Sequence, residues 1–445
     1  MAAAGQGPLA VYAVPGRGTE ARVAFLEGRG ERISGDVERR VRTIVDGVRR
    51  RGDAALFAYT KRFDGVALTS RTVEVPRREM AQAERALAPG VRRALRLAAR
   101  RIEAFHRRQR PASWRFRDAS GAHLGQLVRP LDRAGVYIPG GTAAYPSSVL
   151  MNVVPAKVAG VGEVIGVTPA GRGGIAPSVL AAAHIAGVDR LFRIGGAQAV
   201  AALAYGTRTV PRVDKITGPG NAYVATAKRL VFGTVDIDMI AGPSEVLIVA
   251  DGSARPDFIA ADLLAQAEHD PLAAAILVTA SGTLVAKVQA ELTAQLARLP
   301  RRTIARRALR RQGTAFVTRS LREAMVLANR LAPEHLELAV RRPERLLDQV
   351  RHAGAVFLGE HAPEAFGDYL AGPNHILPTG GAARFSSPLG VYDFVKRSSV
   401  IGASAATLRR LGPSVMQLAE LEGLDAHAVA VGVRLGYNGP RKDRQ

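Results

Sequence analysis

Short runs of β-branched residues alternate with amphipathic stretches from Gly135 onward, and this alternation limits the folds that the chain can adopt. The first series includes G-V-Y-I-P at 135–139, E-V-I-G-V-T-P at 163–169 and L-F-R-I-G-G at 191–196. A second series starts with E-V-L-I-V-A-D at 245–251 and continues with A-I-L-V-T-A, T-A-F-V-T and G-A-V-F-L-G. Strands and helices that alternate at this spacing are typical of right-handed crossover units on a mostly parallel, doubly wound sheet.

The two series predict an α/β protein with two Rossmann-like, doubly wound parallel-sheet domains of an incomplete Rossmann type, and small helical segments at both ends. We place an N-terminal arm at 1–35. A first α/β domain, which carries the metal and catalytic residues, covers 36–135 together with 246–388. A second, nucleotide-binding α/β domain covers 136–245, and a helical segment covers 389–445.

The chain is strongly basic, but the pattern of its charges does not favour nucleic acid. Its 445 residues carry a formal net charge of +23. The basic residues are mostly arginine and are spread along the chain, and their densest clusters fall in helical-looking segments, as is typical of solvated helix faces. No aromatic interleaving or nucleic-acid motif accompanies them. We therefore expect no nucleic-acid partner.

Composition also limits the compartment and the chemistry. The sequence has no apolar run of about 18 residues, and its start, M-A-A-A-G-Q-G-P, lacks the basic and apolar parts of a secretory signal. We expect a cytoplasmic protein that does not contact a membrane. The chain has no cysteine, which excludes a thiol nucleophile, a thiolate metal ligand and a disulfide framework.

A candidate metal site begins with the segment L-A-Q-A-E-H at 264–269. On a helix, Gln266 and His269 lie three residues apart on one face, although such a pair is more often a simple polar face. Asp368 and His427 supply further oxygen and nitrogen ligands, and a set without sulfur suits zinc or a neighbouring divalent ion. Glu268 is the alternative from the same helix, but it lies about 100° around the helix from His269.

A candidate acid/base pair follows Pro333. This proline suits a first helical turn or the start of a turn, and it places Glu334 and His335 together on one short segment. A carboxylate can deprotonate water while an imidazole accepts a proton from a substrate hydroxyl; the alternative is an ordinary surface pair. Near the C-terminus, a helix break predicted at Gly423 lets Glu422 and His427 point to one site.

A nucleotide site is predicted from glycine-rich turns rather than from the usual fingerprint. The glycines at 171 and 173 followed by Ala176 form a degenerate match to G-x-G-x-x-G, but no acidic residue stands about 20 positions further on for the ribose. The segments G-V-Y-I-P-G-G-T, G-G-A-Q-A and G-P-G-N-A-Y-V are better candidates. They place Tyr137, Gln198 and Asn221 at the ends of predicted strands, where such sheets bind ligands, although ordinary turn chemistry would explain them too.

Eight motifs in order along the chain resemble the L-histidinol dehydrogenase family, over almost the whole sequence. They are G-V-Y-I-P-G-G, G-G-A-Q-A, G-P-G-N-A-Y-V, A-G-P-S-E-V, L-L-A-Q-A-E-H, A-P-E-H-L-E-L, G-D-Y-x-A-G-P-N-H-x-L-P-T and E-G-L-x-A-H. The resemblance implies a homodimer that oxidises L-histidinol through the aldehyde to L-histidine, the last step of histidine biosynthesis. It also implies two NAD per reaction and one zinc ion per active site.

The resemblance assigns a role to each candidate residue. Glu334 and His335 would be the catalytic pair. Tyr137, Gln198 and Asn221 would hold NAD. The zinc ligands would be Gln266, His269, Asp368 and His427, and these four with His335, Ser244, His375 and Glu422 would surround the substrate. In the family, the counterparts of Glu422 and His427 come from the partner subunit, so a complete site would need the dimer.

Three other interpretations remain open from the sequence. A relative on the same scaffold could oxidise another small polar alcohol, such as a sulfonated diol. A zinc hydrolase could use the same metal ligands and Glu334 but would not need the nucleotide segments. A nucleic-acid-binding protein would show salt-sensitive retention on DNA without turnover. If the chain is a dehydrogenase, the lack of cysteine requires water to add to the aldehyde, and Glu334 is the predicted base for that water.

Overall fold

The computed structural model describes residues 7–30, 35–140, 144–171, 173–240 and 242–437. The chain divides into two compact units. The large unit consists of Met1–Gln109 and Leu131–Phe394, and the small unit consists of Arg110–Pro130 and Val395–Gln445. The predicted domain 136–245 lies within the large unit, whereas residues 110–130 of the other predicted α/β domain belong to the small unit.

The strands form three sheets. In chain order they are β1 (Ala10–Ala13), β2 (Glu74–Val75), β3 (Trp114–Arg117), β4 (His123–Pro130), β5 (Arg133–Tyr137), β6 (Glu163–Val167), β7 (Arg190–Phe192), β8 (Lys215–Thr217), β9 (Asp236–Ile237), β10 (Glu245–Ala250), β11 (Ala274–Thr279), β12 (Thr314–Val317), β13 (His335–Ala339), β14 (Ala355–Leu358) and β15 (Val395–Gly402).

The α-helices connect these strands. They are α1 (Thr19–Glu27), α2 (Gly35–Arg51), α3 (Asp53–Asp64), α4 (Arg77–Ala86), α5 (Pro89–Arg107), α6 (Pro146–Ala159), α7 (Pro177–Ala186), α8 (Gly196–Tyr205), α9 (Ala222–Val231), α10 (Pro256–Ala267), α11 (Gly282–Leu296), α12 (Arg302–Gln312), α13 (Leu321–Leu331), α14 (Glu364–Phe366), α15 (Ala405–Leu421) and α16 (Asp425–Gly432). Among the described helices, none combines the length and the apolar character that a membrane crossing requires.

Sheet A is parallel throughout, in the order β1-β12-β11-β10-β13-β14. Its central strand β10 is buried along its whole length. Val246 and Ile248 belong to one hydrophobic cluster and Leu247 and Val249 to another, so the two faces of the strand contact different cores. Burial on both faces explains why the segment E-V-L-I-V-A reads as a continuous hydrophobic run rather than as an alternating one.

Sheet B repeats this topology in the order β2-β7-β6-β5-β8-β9. Its strands are parallel except for the edge strand β2, which pairs antiparallel with β7. In both sheets the first strand of the series lies in the middle, and the chain order reverses beside it, between β10 and β13 in sheet A and between β5 and β8 in sheet B. The predicted fold class, two doubly wound Rossmann-like domains, is therefore confirmed.

Part of the segment 36–135 packs against sheet B, whereas the prediction joined the whole segment to 246–388. Val41, Val45 and Leu56 of helices α2 and α3 share a hydrophobic cluster with Ile165 and Phe192 of sheet B. The predicted N-terminal arm, in contrast, supplies β1 as an edge strand of sheet A. An amphipathic pattern shows which face of a helix is buried but not which sheet receives it.

The small unit corrects the prediction that 389–445 is only helical. Its sheet C has the antiparallel order β15-β4-β3, with Val395 opposite Pro130 and Gly402 opposite His123. Helices α15 and α16 follow. The segment V-K-R-S-S-V-I-G is mostly exposed along its length, so it lacks the alternation of apolar and polar residues by which a half-buried strand is found in a sequence.

Candidate active site

The predicted acid/base pair lies at the amino edge of sheet A, where β10 and β13 start side by side. Glu334 and His335 are buried, and one residue of the neighbouring strand, Glu245, holds both. The amide N–H of Glu245 donates to Glu334 Oε2 at 2.8 Å, and the carbonyl of Glu245 accepts from His335 Nδ1 at 2.9 Å. The main chain of β10 therefore fixes the two side chains relative to each other.

His335 is oriented as a base. Because Nδ1 donates to the Glu245 carbonyl, Nε2 carries the lone pair, and Nε2 has no hydrogen-bond partner among the described residues. It lies 3.9 Å from Asp368 Oδ1. Burial lowers the pKa of His335, although the Asp368 carboxylate acts against this shift. The imidazole is therefore neutral at neutral pH and can accept a proton at Nε2.

Glu334 lies in an environment that makes it a stronger base than an ordinary carboxylate. Burial raises its pKa well above the usual value, and the nearby Glu245 carboxylate raises it further. The hydrogen bond from the Glu245 amide acts in the opposite direction. Glu334 Oε2 is 3.7 Å from His335 Nδ1, so the two proton-handling groups lie beside each other.

A group of possible cation ligands lies next to this pair. His269, Glu364 and Asp368 each offer one ligand atom, and these atoms lie within 4.8 Å of one another. Gln266 is fully buried at the end of α10, and with its amide nitrogen turned to the acidic side chains it donates to Glu364 Oε2 at 3.0 Å. Its amide oxygen then remains to face a donor or a cation. Nitrogen and oxygen atoms without sulfur form a donor set that fits zinc.

The residues after β14 complete the group. Asp368 lies on a π-helical turn, Gly367–Ala371, which follows α14 directly. The Asp368 carbonyl pairs with His375 Nδ1 at 2.9 Å, and the Asp368 carboxylate is 3.9 Å from the same nitrogen. Burial lowers the pKa of His375. The His375 ring is thus neutral and oriented by the turn that carries Asp368.

The large unit brings most of the predicted site residues together. Glu334, His335, Gln266, His269, Asp368 and His375 belong to one connected cluster, and Ser244 directly precedes Glu245. Glu422 and His427 belong to the small unit, at the end of α15 and within α16. Their participation in the site stays a prediction. Glu268, the alternative ligand, is not in the group of cation ligands found among the described residues.

Two residues of the site were missed by the sequence analysis. Glu364 lies four residues before Asp368, and this spacing on a helical segment could have indicated it. Burial and the surrounding carboxylates raise its pKa well above the usual value. Arg29 forms a buried ion pair with Glu245 at 2.6 Å, and nothing in the sequence connects residues 216 positions apart.

The predicted nucleotide residues line the carboxyl edge of sheet B. The Tyr137 hydroxyl, at the end of β5, accepts from the Gly196 amide at 3.0 Å, and burial raises the pKa of Tyr137 to about 12. Gln198 Nε2 and Thr217 Oγ1 are buried without a partner among the described residues. Unpaired buried polar atoms are costly, so a polar ligand at this edge would satisfy them.

Asn221 has a structural role of its own. Its side chain caps α9 by accepting from the amides of Tyr223 at 3.0 Å and Val224 at 3.2 Å. This is the turn chemistry that the sequence analysis kept as an alternative. The cap also fixes the amino end of α9 at the edge where β8 ends, and helix amino ends favour the phosphates of a nucleotide.

These features define an α/β protein with two doubly wound sheets, a buried acid/imidazole pair, a cluster of possible cation ligands and buried polar atoms without described partners at the carboxyl edge of sheet B. The model of the histidinol dehydrogenase family matches residues 28–435. The chain belongs to this family, as the motifs predicted.

Curated relatives and a solved structure agree with this assignment. The chain is 59% identical to a histidinol dehydrogenase from Syntrophotalea carbinolica over 415 residues, which cover 93% of this chain and 96% of the relative. It is 54% identical to a histidinol dehydrogenase from Aquifex aeolicus, with the same coverage. The crystal structure of histidinol dehydrogenase from Elizabethkingia anophelis superposes with a TM-score of 0.91 at 36% identity and covers 97% of this chain and 98% of that one.

Proposed function

We propose that the protein oxidises L-histidinol to L-histidine through the aldehyde, with two NAD and one zinc ion, as the last step of histidine biosynthesis. The observation that carries this proposal is the neutral His335 with its free Nε2, which lies between Glu334 and a group of cation ligands. Membership of the family names the substrate.

Gln266, His269 and Asp368 would hold the zinc ion, together with His427. When bound, zinc would orient the imidazole and amine nitrogens of the substrate and act chiefly as a template. Glu364 lies within ligand distance of the same position. With Ser244, His375 and Glu422, these residues would form the substrate pocket.

In the first oxidation, His335 accepts the hydroxyl proton of the substrate at Nε2. The hydrogen bond from Nδ1 to the Glu245 carbonyl holds the ring and stabilises the positive charge that develops on it. When bound, a nicotinamide cofactor would supply the acceptor for the hydride on the carbon that bears the hydroxyl. The products of this step would be the aldehyde, one reduced nicotinamide and a proton.

In the second oxidation, a water molecule has to add to the aldehyde, because the chain has no cysteine to form a thioester. Glu334 removes a proton from that water, and its raised pKa makes it effective in this role. His335 accepts a hydroxyl proton of the resulting hydrate, and a second nicotinamide cofactor, when bound, would supply the acceptor for the hydride on the same carbon. The product is the carboxylate.

The proposed NAD site is the carboxyl edge of sheet B, with Tyr137, Gln198 and Asn221. The buried, unpaired Gln198 Nε2 supports a polar ligand there. The Tyr137 hydroxyl accepts from the Gly196 amide, so its own proton is left to donate to that ligand. The edge lies at the point where the strand order of sheet B reverses, the usual ligand position in such sheets.

A homodimer is part of the proposal. Helix α15 exposes a row of large apolar residues at helical spacing, Leu411, Val415, Leu418 and Leu421, of which Leu421 is 83% exposed. An apolar row of this kind is typical of an interface between subunits. Glu422 follows directly, so the partner subunit could receive it together with His427. The cytoplasmic location and the lack of a nucleic-acid partner stay predictions.

The proposal is tested by incubating the zinc-loaded protein with L-histidinol and NAD, and by counting the NADH formed and the histidine produced. The expected yield is two NADH per histidinol. A matched reaction with a sulfonated diol should give no NADH. No reduction of NAD by histidinol, or reduction only by the diol, would refute the proposed substrate.

A further inference from the structure

The turn G-P-G-N between β8 and α9 is held from both sides by one buried ion pair. Gly218 donates its amide N–H to Asp238 Oδ2 at 2.7 Å, and its carbonyl accepts from Lys228 Nζ at 3.0 Å. Lys228 and Asp238 also bind each other, and their side chains are 3% and 1% exposed. Both peptide groups of Gly218 are thus fixed by side chains from outside the turn.

Both oxygens of the Asp238 carboxylate accept hydrogen bonds. Besides Lys228 and Gly218, it accepts from the amide of Met239 at 2.6 Å. A buried ion pair is weak support for stability, because removing two charges from water costs about as much free energy as their attraction returns. Such a pair can, however, specify one position of the backbone that it contacts.

The backbone that this pair holds belongs to the proposed NAD site. Gly218 has φ +110°, and a Cβ at this position would lie 2.1 Å from the carbonyl oxygen of Tyr137. Three residues later, Asn221 caps α9. The position of Gly218 therefore sets the distance between the end of β5 and the amino end of α9, the two elements that would contain the cofactor.

We propose that Lys228 and Asp238 are positioning residues for NAD. They do not touch the cofactor; they hold the Gly218 turn so that Tyr137 and Asn221 face one ligand. This inference rests on the proposed NAD-dependent oxidation and extends it to two residues that have no catalytic role.

A second Lys–Asp pair joins two strands of sheet B and serves as a matched control. Lys215, at the start of β8, binds Asp236, at the start of β9, at 2.8 Å. This pair lies at the opposite, amino edge of the sheet and contacts neither Gly218 nor Tyr137. The Asp236 side chain is 52% exposed, so loss of the pair leaves no buried carboxylate.

The experiment compares Lys228→Met, Asp238→Leu and the double variant with the control Asp236→Asn in the zinc-loaded enzyme; leucine is close to aspartate in size and cannot accept from the Gly218 amide. Each protein is assayed for kcat, for KM of NAD and of histidinol, and for Tm. Each single change at Lys228 or Asp238 should raise KM for NAD about tenfold or more and leave KM for histidinol within about twofold. The Tm of each single variant should also fall, because the remaining charged side chain is buried without its ion-pair partner.

The double variant distinguishes an effect on NAD binding from a loss of stability of the fold. Removing both charges should restore much of the lost Tm, while KM for NAD should stay raised because the turn is still not held. The control should keep the wild-type KM for NAD. A double variant whose KM for NAD returns to the wild-type value along with its Tm would overturn the inference.

The inference and the proposed function fail in different ways. If the wild-type protein forms NADH from histidinol but the double variant has an unchanged KM for NAD, the positioning role is wrong and the function stands. If the wild-type protein forms no NADH from histidinol, both are wrong.

Discussion

At the scale of single residues, the site depends on the main chain of Glu245. Its amide orients the Glu334 carboxylate and its carbonyl orients the His335 ring. Two adjacent residues can therefore act on different protons without competing for the same partner. This arrangement favours a division of labour in which the imidazole serves both oxidations and the carboxylate serves the hydration.

Replacing Glu334 with Gln should separate the two oxidations. The amide cannot remove a proton from water, so oxidation of the aldehyde should fall about 10²-fold or more, while oxidation of the alcohol should fall much less. Single-turnover NADH formation with histidinol and with histidinal measures the two steps. Glu360→Gln, a change at a partly exposed glutamate outside the site, is the control. Equal losses in both steps would contradict the division.

Replacing His269 with Asn should empty the metal site. The amide is a weak ligand, and the variant loses one of the clustered donor atoms. Zinc measured by elemental analysis after dialysis should fall from one per chain to nearly none, and activity should fall with it. His361→Asn removes a histidine whose side chain is 84% exposed and should keep its zinc. A His269 variant with full zinc and full activity would count against the ligand assignment.

At the scale of helices and strands, individual elements were predictable from local patterns, but the distant elements that they pack against were not. The continuous apolar run identified β10 as a strand, and the A-P-E-H motif indicated an acid beside an imidazole. Both signals come from neighbouring residues, on which burial and turn chemistry act. The packing of α2 against sheet B, and the pairing of Val395 with Pro130, depend on contacts between distant residues. For the same reason the ion pair of Arg29 with Glu245 could not be found in the sequence.

The contact between α10 and β13 predicts a pH-dependent stability. Asp262 of α10 and Glu337 of β13 share a hydrogen bond, and burial raises the pKa of Asp262 to about 6 and that of Glu337 well above its usual value. A carboxyl group whose pKa is raised on folding stabilises the fold below its unfolded pKa, and this contribution is lost as the pH rises through the folded pKa. The ionised Asp262 is therefore unfavourable above about pH 6.

Asp262→Asn should remove that penalty. The variant should have a Tm at pH 8 that is higher than that of the wild type by about 2 °C or more, and the difference should shrink toward pH 4, where the wild-type carboxyl is protonated. Thermal unfolding across this pH range measures it. Asp257→Asn, an exposed position on the same helix whose pKa is lowered by Arg255, should not raise Tm at pH 8. A variant that is less stable than the wild type at pH 8 would contradict the prediction.

At the scale of the whole molecule, the predicted site draws on both units of the chain. Glu334 lies in the large unit and His427 in the small one. If the partner subunit supplies His427, as the resemblance implies, two variants that each fail to form histidine can complement each other. A dimer with one Glu334→Gln chain and one His427→Asn chain would contain one fully intact site.

Mixing equal amounts of the two variants after dissociation should therefore restore histidine formation to about a quarter of the wild-type rate, because half of the randomly formed dimers are mixed and each of these has one intact site of two. Each variant dissociated and reassembled alone is the control and should still fail to form histidine. No recovery in the mixture, despite mixed dimers seen by native mass spectrometry, would show that each chain uses its own His427.

The repeated sheet has a kinetic consequence. At the carboxyl edge of sheet A, where a second nucleotide would be expected, the cavity lined by Asp262 and Glu337 has a volume of only about 10 Å³, which is too small for a nucleotide. If two NAD are consumed per turnover, as proposed, they would bind one after the other at the proposed site on sheet B. The aldehyde intermediate would then have to stay bound while NADH dissociates and a second NAD binds. Retention of this kind would keep a reactive aldehyde from reacting with amines in the cell.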